Sequence, residues 1–305
     1  MNLETEKGFV TRLQSGFYTV RTGSGEVTCG IRGKMKQEWV NETLVAVGDL
    51  VRISLLDDGS GVIEEVLPRR SSFFRMAPSA RGEFKQIMLA NPDQIVLVFA
   101  CADPDPSLRM LDRFLVIAEK QEIPALIAAN KIDLVGLDRA RGIFSVYSDL
   151  GYPVVFTSAK KNINIDELEE RIAGKLSAFY GPSGAGKSSL LNCVQPGLGL
   201  QVGAVKETTG KGKHTTVVRE LFELRNGGFV ADMPGIRTLS LWDIEPEELD
   251  GYFRELRGLV SGCQFSDCSH ISEPGCAVKE AVAGGKVSPE RYESYVRLRM
   301  GDEGD

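Results

Sequence analysis

The stretch Gly181-Pro-Ser-Gly-Ala-Gly-Lys-Ser188 fits the pattern G-x-x-x-x-G-K-[ST] of a phosphate-cradling loop. A short β-prone run, Ala178 to Tyr180, leads into it, and Ser189-Leu-Leu-Asn-Cys193 follows as the start of a helix. The match therefore has the strand, loop and helix that its mechanics demand, which sets it apart from a chance glycine turn. Gly181, Gly184 and Gly186 allow backbone conformations that aim successive N–H groups at phosphate oxygens, and the helix N-terminus adds its positive dipole end. Pro182, Ser183 and Ala185 complete the loop. In this reading Lys187 reaches the β- and γ-phosphates, the Ser188 hydroxyl ligates Mg²⁺, and Ser189 continues the first turn beside them.

The loop does not choose a base. That choice is read upstream in Asn130-Lys131-Ile132-Asp133, where a carboxylate can accept from both N1–H and the 2-amino group of guanine, a donor pair that adenine lacks. The apolar run Ala125 to Ala129 places this tetrapeptide at the C-terminal end of a strand, where open α/β sheets bind ligands. Lys131 serves through its aliphatic stem against the base plane. Ser158-Ala159-Lys160, after the apolar run Pro153 to Phe156, offers a backbone N–H to the guanine carbonyl. Downstream, either Thr215 or Thr216 can close over γ-phosphate and Mg²⁺. Asp232-Met-Pro-Gly235 brings Asp232 near the metal through water and the Gly235 N–H near the γ-phosphate. Each signal is weak alone, and together they specify GTP or GDP with Mg²⁺.

Their order is unusual. Small GTPases ordinarily begin with the phosphate loop, whereas here Asn130–Asp133 and Ser158–Lys160 precede Gly181, so the domain reads as circularly permuted. In this order, and in Gly-Lys-Gly-Lys-His-Thr-Thr (210–216), the chain resembles the ribosome small-subunit-dependent GTPase A family along nearly its whole length. The resemblance implies a three-part protein: an N-terminal oligonucleotide-binding-type β-barrel at 1–70, a permuted GTPase with a mostly parallel α/β sheet at 71–240, and a zinc-binding helical domain at 241–305. It also implies a GTPase that binds the small ribosomal subunit and its rRNA, acts late in subunit maturation and couples hydrolysis to release.

The flanking regions carry readings of their own. Alternating runs at Gly8 to Leu13, Phe17 to Thr22, Glu26 to Ile31, Leu50 to Leu55 and Gly61 to Leu67 suggest a small five-stranded barrel. Its long connection holds Arg32, Lys34, Lys36 and Trp39, either a nucleic-acid loop with one stackable aromatic or a solvated loop whose tryptophan packs on the barrel. Pro68 to Arg75 reads as a linker with solvated arginines. Gln94 to Ala100 is a continuous apolar strand of the kind buried on both faces. Helices are expected at Leu108 to Glu119, Leu137 to Leu150 and Ile165 to Leu176, and an acidic helical stretch at Glu245 to Leu256. Strand and helix alternate, so the sheet should be doubly wound.

Near the end of the chain, Cys263, Cys268, His270 and Cys276 supply the three thiolates and one imidazole of a closed structural zinc site, with no open position for metal catalysis. The spacing departs from common zinc fingers and matches the C-terminal module of the family that the chain resembles. Lys279, Lys286, Arg291, Arg297 and Arg299 lie beyond it, either toward RNA or on a solvated face.

Composition sets the outer limits. A chain of 305 residues can hold two or three domains, and its formal net charge of −6 argues against indiscriminate coating of nucleic acid. The cysteine usage suits a reducing compartment, and neither a signal peptide nor a membrane-length apolar span is present, so a soluble, cytoplasmic, monomeric protein is expected. Ile236 follows Asp-Met-Pro-Gly where Ras-like enzymes carry a water-positioning glutamine. Intrinsic hydrolysis should then be slow unless another group substitutes. His214 is the candidate catalytic residue, its alternatives being an exposed side chain or an RNA phosphate contact. A GTP-gated RNA-binding regulator that works without the ribosome fits the same residues. A metal-delivery GTPase fits less well, because the cysteine set is closed.

Overall fold

The computed structural model describes residues 5–33, 41–79, 82–200, 218, 220–233 and 244–302. Lys34, Lys36, Trp39, His214, Thr215, Thr216, Gly235 and Ile236 lie outside them, as does the basic stretch that contains Lys206, Lys211 and Lys213.

The first five strands are β1 (Thr5–Gln14), β2 (Phe17–Thr22), β3 (Glu26–Ile31), β4 (Leu50–Leu55) and β5 (Gly61–Val66). They close into a barrel in the order β1-β2-β3-β5-β4. Alternation directs Val10, Val20, Val27, Cys29, Val51, Ile53 and Ile63 inward, one face of each strand filling a single core.

Next come β6 (Ser72–Ser79) and β7 (Gly82–Ala90), an antiparallel hairpin where the sequence reads only as a linker. Phe73 is buried against Tyr180, with ring centroids 6.1 Å apart, while Lys85 lies 4.2 Å from the centroid of Phe74 and Arg75 donates to Gln86 at 2.8 Å. The strand pattern is masked because its outer face carries long cationic stems that pack on the hairpin itself. Nor is Arg69 solvated as expected. It donates twice to the buried Asp49, at 2.7 and 2.9 Å, and also to Glu42 and to the carbonyls of Thr43 and Leu44. Asn91 completes the joint, accepting from the Arg70 N–H and donating to the Gly48 carbonyl.

The main sheet contains β8 (Gln94–Ala100), β9 (Ala125–Asn130), β10 (Val154–Phe156), β11 (Leu176–Tyr180), β12 (Phe222–Glu223) and β13 (Phe229–Asp232). Its order is β10-β9-β8-β11-β13-β12, parallel except for the last pair. Along β8, Ile95, Leu97 and Phe99 face one core, built with α1 (Leu108–Lys120) and α2 (Leu137–Asp149). Val96 and Val98 face the other, built with α3 (Ile165–Ile172) and α4 (Lys187–Val194). Helix α3 is shorter than expected, because Ala173 turns to ψ 134 and Leu176 already pairs in β11.

The barrel abuts the far edge of this sheet. Leu221 N–H donates to the Thr11 carbonyl at 2.8 Å, Arg12 pairs with Glu220, and Phe9 packs on Phe229 at 5.2 Å.

The acidic stretch near 245 is not one helix: a 3₁₀ segment, Pro246–Tyr252, leads through Phe253 into the short α5 (Arg254–Arg257). Helices α6 (Ala277–Ala283) and α7 (Pro289–Arg299) follow. This tail shares a core with the outer face of α1, joining Val116 to Leu249, Phe253, Leu256 and Tyr295. Arg291 is no surface contact, being 2 % exposed. Its guanidinium meets Asp112 of α1 at 2.6 Å and Glu255 at 2.7 Å, and stacks 4.5 Å from the ring centroid of Phe253. Burial works to lower the pKa of Arg291, and the two carboxylates outweigh it and raise it. Removing one member of a buried ion network leaves the others desolvated and uncompensated. Arg291→Ala should therefore destabilise the docked tail by about 3–5 kcal/mol, read as an earlier denaturant midpoint for a tail probe such as Tyr295 environment or proteolysis.

Candidate nucleotide site and zinc cluster

β8 is the first strand of the main sheet; the chain winds outward from it through β9 to β10, then crosses back to β11 on the other side of β8. This reversal makes a topological switch point between β8 and β11, the crevice at which open α/β sheets take ligands. The loop 181–186 leaves β11 at that point. A Cβ on Gly181 would lie 2.1 Å from the Val98 carbonyl oxygen, so only glycine lets the chain cross the end of β8. At Gly186, φ is 92° and a Cβ would lie 2.3 Å from Nδ2 of Asn130; the glycine is the left-handed residue from which α4 starts.

Asn130, 1 % exposed, fastens the two halves of the site together. Nδ2 donates to the Ala185 carbonyl at 2.9 Å, while Oδ1 accepts from Ala159 N–H at 3.2 Å and from the Thr157 hydroxyl at 3.3 Å. It thus ties the phosphate loop to both base-side segments, and the Ala159 N–H is given to it rather than outward. Lys131 is left-handed, with φ 64°, and its ammonium reaches the Asp103 carbonyl. Asp133, in the 3₁₀ turn Ile132–Leu134, is oriented by the Ser158 hydroxyl at 2.6 Å, which in turn accepts from Lys161 N–H.

These groups line a cavity of about 450 Å³ bounded by Asp103, Asn130, Lys131, Asp133, Leu134, Ala159, Lys160, Gly186, Ser189 and Asn192. Two larger hollows, of about 710 and 770 Å³, lie at the seam of barrel and hairpin and between α1, α2 and α7. Neither contains any of the phosphate-loop or base-side residues. Asp103, Leu134 and Asn192 were missed in the sequence. Asp103 lies just past the end of β8 at the switch point, a position the topology marks, whereas Asn192 is one helical turn beyond Ser188 and carries no motif signal.

On the phosphate side, Ser188 is half-buried in the first turn of α4. Lys187 donates to the carbonyls of Gly181 at 2.7 Å and Pro182 at 3.2 Å, folding its cation over the loop. Burial lowers the pKa of Lys187 against the pull of Asp232, and burial raises that of Asp232 against the pull of Lys187. Asp232 Oδ1 is buried without a hydrogen-bond partner among the described residues. A desolvated carboxylate oxygen with no donor, beside a cation at the mouth of a glycine cradle, fits a hydrated Mg²⁺ and its phosphates. Gly235, Thr215, Thr216 and His214 fall outside the described residues.

The second cluster is in the tail. Ligand atoms of Cys263, Cys268, His270 and Cys276 all lie within 4.8 Å of one another. Nδ1 of His270 is 3.5 Å from Sγ of Cys263 and 3.4 Å from Sγ of Cys276. Three sulfurs and one nitrogen converging on a point is a donor set suited to tetrahedral zinc.

Fold and site together define a GTPase of the circularly permuted kind. Comparison with known proteins makes this specific. Residues 66–242 match the model of the RsgA GTPase family, and residues 7–63 that of the RsgA N-terminal domain. The small ribosomal subunit biogenesis GTPase RsgA of Gemmatimonas aurantiaca is 45 % identical over 298 residues, covering 96 % of each chain. Its counterpart in Moorella thermoacetica is 41 % identical over 290 residues, covering 95 % of each. Among solved structures, YjeQ from Thermotoga maritima superposes with a TM-score of 0.80 at 38 % identity, covering 99 % of this chain and 100 % of that one. YloQ, a circularly permuted GTPase, gives 0.76 at 32 %, covering 98 % and 96 %. The chain belongs to the RsgA family of GTPases, and its reaction is hydrolysis of GTP to GDP and phosphate.

Asn130→Asp keeps the shape and the acceptor for Ala159 but turns a carboxylate oxygen toward the Ala185 carbonyl. An unsatisfied, repelled pair of this kind costs roughly 1–3 kcal/mol. GTP and GDP affinity should fall together by about 5- to 150-fold in equilibrium titration.

Proposed function

We propose that this GTPase binds the small ribosomal subunit through its rRNA and acts late in subunit maturation, the subunit stimulating hydrolysis and hydrolysis releasing the protein. The observation that carries the reading is the match along nearly the whole chain to relatives named for small-subunit biogenesis. The architecture supports it: barrel and tail are both bonded to the GTPase core, so surfaces on either side of the nucleotide site form one rigid reader. The domains divide at 1–70, 71–240 and 241–305. No helix among the described residues is long and apolar enough to cross a membrane, and a cytoplasmic monomer suits the role.

In the site, Gly181 to Ser189 would cradle the triphosphate with Lys187 on its β- and γ-oxygens, and Ser188 and Asp232 would hold Mg²⁺. Thr215 or Thr216 and the Gly235 N–H complete the γ-phosphate shell. Asp133 reads guanine, held in place by Ser158, while Lys131, Ala159 and Lys160 wall the base. Bound Mg²⁺ neutralises charge that builds on the phosphates during transfer. Ile236 cannot position the attacking water, and His214 supplies that function in the subunit-bound protein. Cys263, Cys268, His270 and Cys276 hold one structural zinc.

Asp133→Asn should weaken GTP binding and improve that of xanthosine triphosphate, whose O2 accepts where the guanine amino group donates; unchanged GTP affinity removes Asp133 from the base site. Purified small subunits should raise the GTPase rate strongly, trans-stimulation being worth about 10³–10⁵-fold in other GTPases, or roughly 4–7 kcal/mol of barrier. His214→Ala should lose most of that stimulation while still co-sedimenting with subunits in the GTP state. Lys187→Ala, inactive with and without subunits, shows that the measured activity belongs to this protein. Stimulation absent from the wild type denies the ribosomal role, and full stimulation of His214→Ala denies only the histidine's.

A further inference from the structure

We propose that Asp250 is the outer-shell partner of the zinc site: it accepts from Nε2–H of His270, fixes that ring as an Nδ1 ligand, and couples zinc occupancy to the docking of the tail on α1. The inference rests on the zinc reading above and adds to it a residue outside the ligand set.

The His270 side chain is 0 % exposed, and Nε2 lies 3.0 Å from Oδ2 of Asp250. A ring nitrogen at that distance from a carboxylate carries the proton, which leaves Nδ1 as the lone-pair nitrogen, and Nδ1 is the atom that faces the sulfurs of Cys263 and Cys276. Metal-bound histidines commonly donate their second N–H to a carboxylate, which sets the tautomer and raises the basicity of the ligand. The ring has little freedom to do otherwise. His270 has φ 62°, and its carbonyl accepts from the Tyr292 hydroxyl at 2.6 Å, while the Ser269 carbonyl accepts from Tyr295 at 2.9 Å. Glu273 gathers the N–H groups of Ser269 and Ile271 from the other side.

Asp250 itself belongs to the 3₁₀ segment Pro246–Tyr252, not to the cysteine loop. Its neighbours hold α1: Leu249 packs with Val116, and Glu248 pairs with Lys120 at 2.8 Å. The carboxylate thus joins the imidazole on the metal to the segment that docks on the GTPase core. With a cation held at Nδ1, the Nε2–H of His270 would be a stronger donor to Asp250.

The test uses the full chain and zinc alone as the probe. Competition against a chromophoric chelator should give Asp250→Ala a zinc affinity about 10–100-fold below wild type, with Asp250→Asn, which still accepts but lacks charge, in between. Two-bond ¹H–¹⁵N spectra of the zinc form should show His270 protonated at Nε2. Amide exchange across 246–252 should slow on adding zinc to wild type, and respond less in either variant. Wild-type affinity in Asp250→Ala, or a ring metallated through Nε2, overturns the assignment; exchange at 246–252 that ignores zinc overturns the coupling. If Asp250→Ala fails to fold, the isosteric Asp250→Asn decides. A folded wild type with no affinity for zinc refutes the underlying zinc reading instead, and Cys268→Ser, expected to lose zinc altogether, marks that limit.

Discussion

The buried amide of Asn130 must make three hydrogen bonds at once, to a carbonyl of the phosphate loop and to a backbone N–H and a hydroxyl from the segment after β10. In a low-dielectric site each bond is strong and each omission is costly, so the three segments are held in one relative position or the network fails as a unit. Gly186 has no Cβ because Nδ2 of this amide occupies the space it would need. Asp133, three residues on, inherits its place from the same anchor, and Ser158 then aims its carboxylate. The base-side segments and the phosphate loop are thereby held by one network.

Around that centre, charge is used as mortar. Arg69, between barrel and hairpin, is held by Asp49 and the carbonyls of Thr43 and Leu44, and Arg291 links tail to α1 through Asp112 and Glu255. Buried ionic joints of this type contribute less to net stability than to a unique geometry, since their Coulomb gain is offset by desolvation. Their geometry here fixes three modules as one body. The edge of the sheet is closed in the same spirit: β12 is only two residues long, and the chain just before it bonds to β1 of the barrel, so no long open strand is presented there.

Much of this was legible in the sequence, for identifiable reasons. Gly181 to Ser188, Asn130 to Asp133 and the Cys₃His set are demanded by local chemistry, so residue type and spacing carry them. The barrel strands and β8 show the period-2 or continuous apolar patterns that burial imposes. What stayed hidden depends on partners distant in the chain. Arg291 reads as an RNA contact or a solvated cation, and Arg69 as solvated, because their partners Asp112 and Asp49 are not their neighbours in sequence. The hairpin 72–90 was obscured by long cationic side chains that find partners within it, Lys85 over the ring of Phe74 and Arg75 on Gln86. Asn130 also braces the site, a role visible only once Ala185 is beside it.

The permuted strand order has a consequence for synthesis. Strands β8 to β10 and Asn130 to Asp133 leave the ribosome before Lys187 and Asp232; at about 5–20 residues per second, roughly 5–20 s separates Asp133 from Asp232. Until β11 emerges, β8, which ends up between β9 and β11, has one edge unpaired. That strand is apolar on both faces and has no charge of its own to discourage pairing with another chain. Nor can nucleotide stabilise the nascent half, because the phosphate cradle is not yet made. The core is completed when β11 and then β13 add at the open edge of β8, and the chain becomes responsive to GTP only at the end of that process.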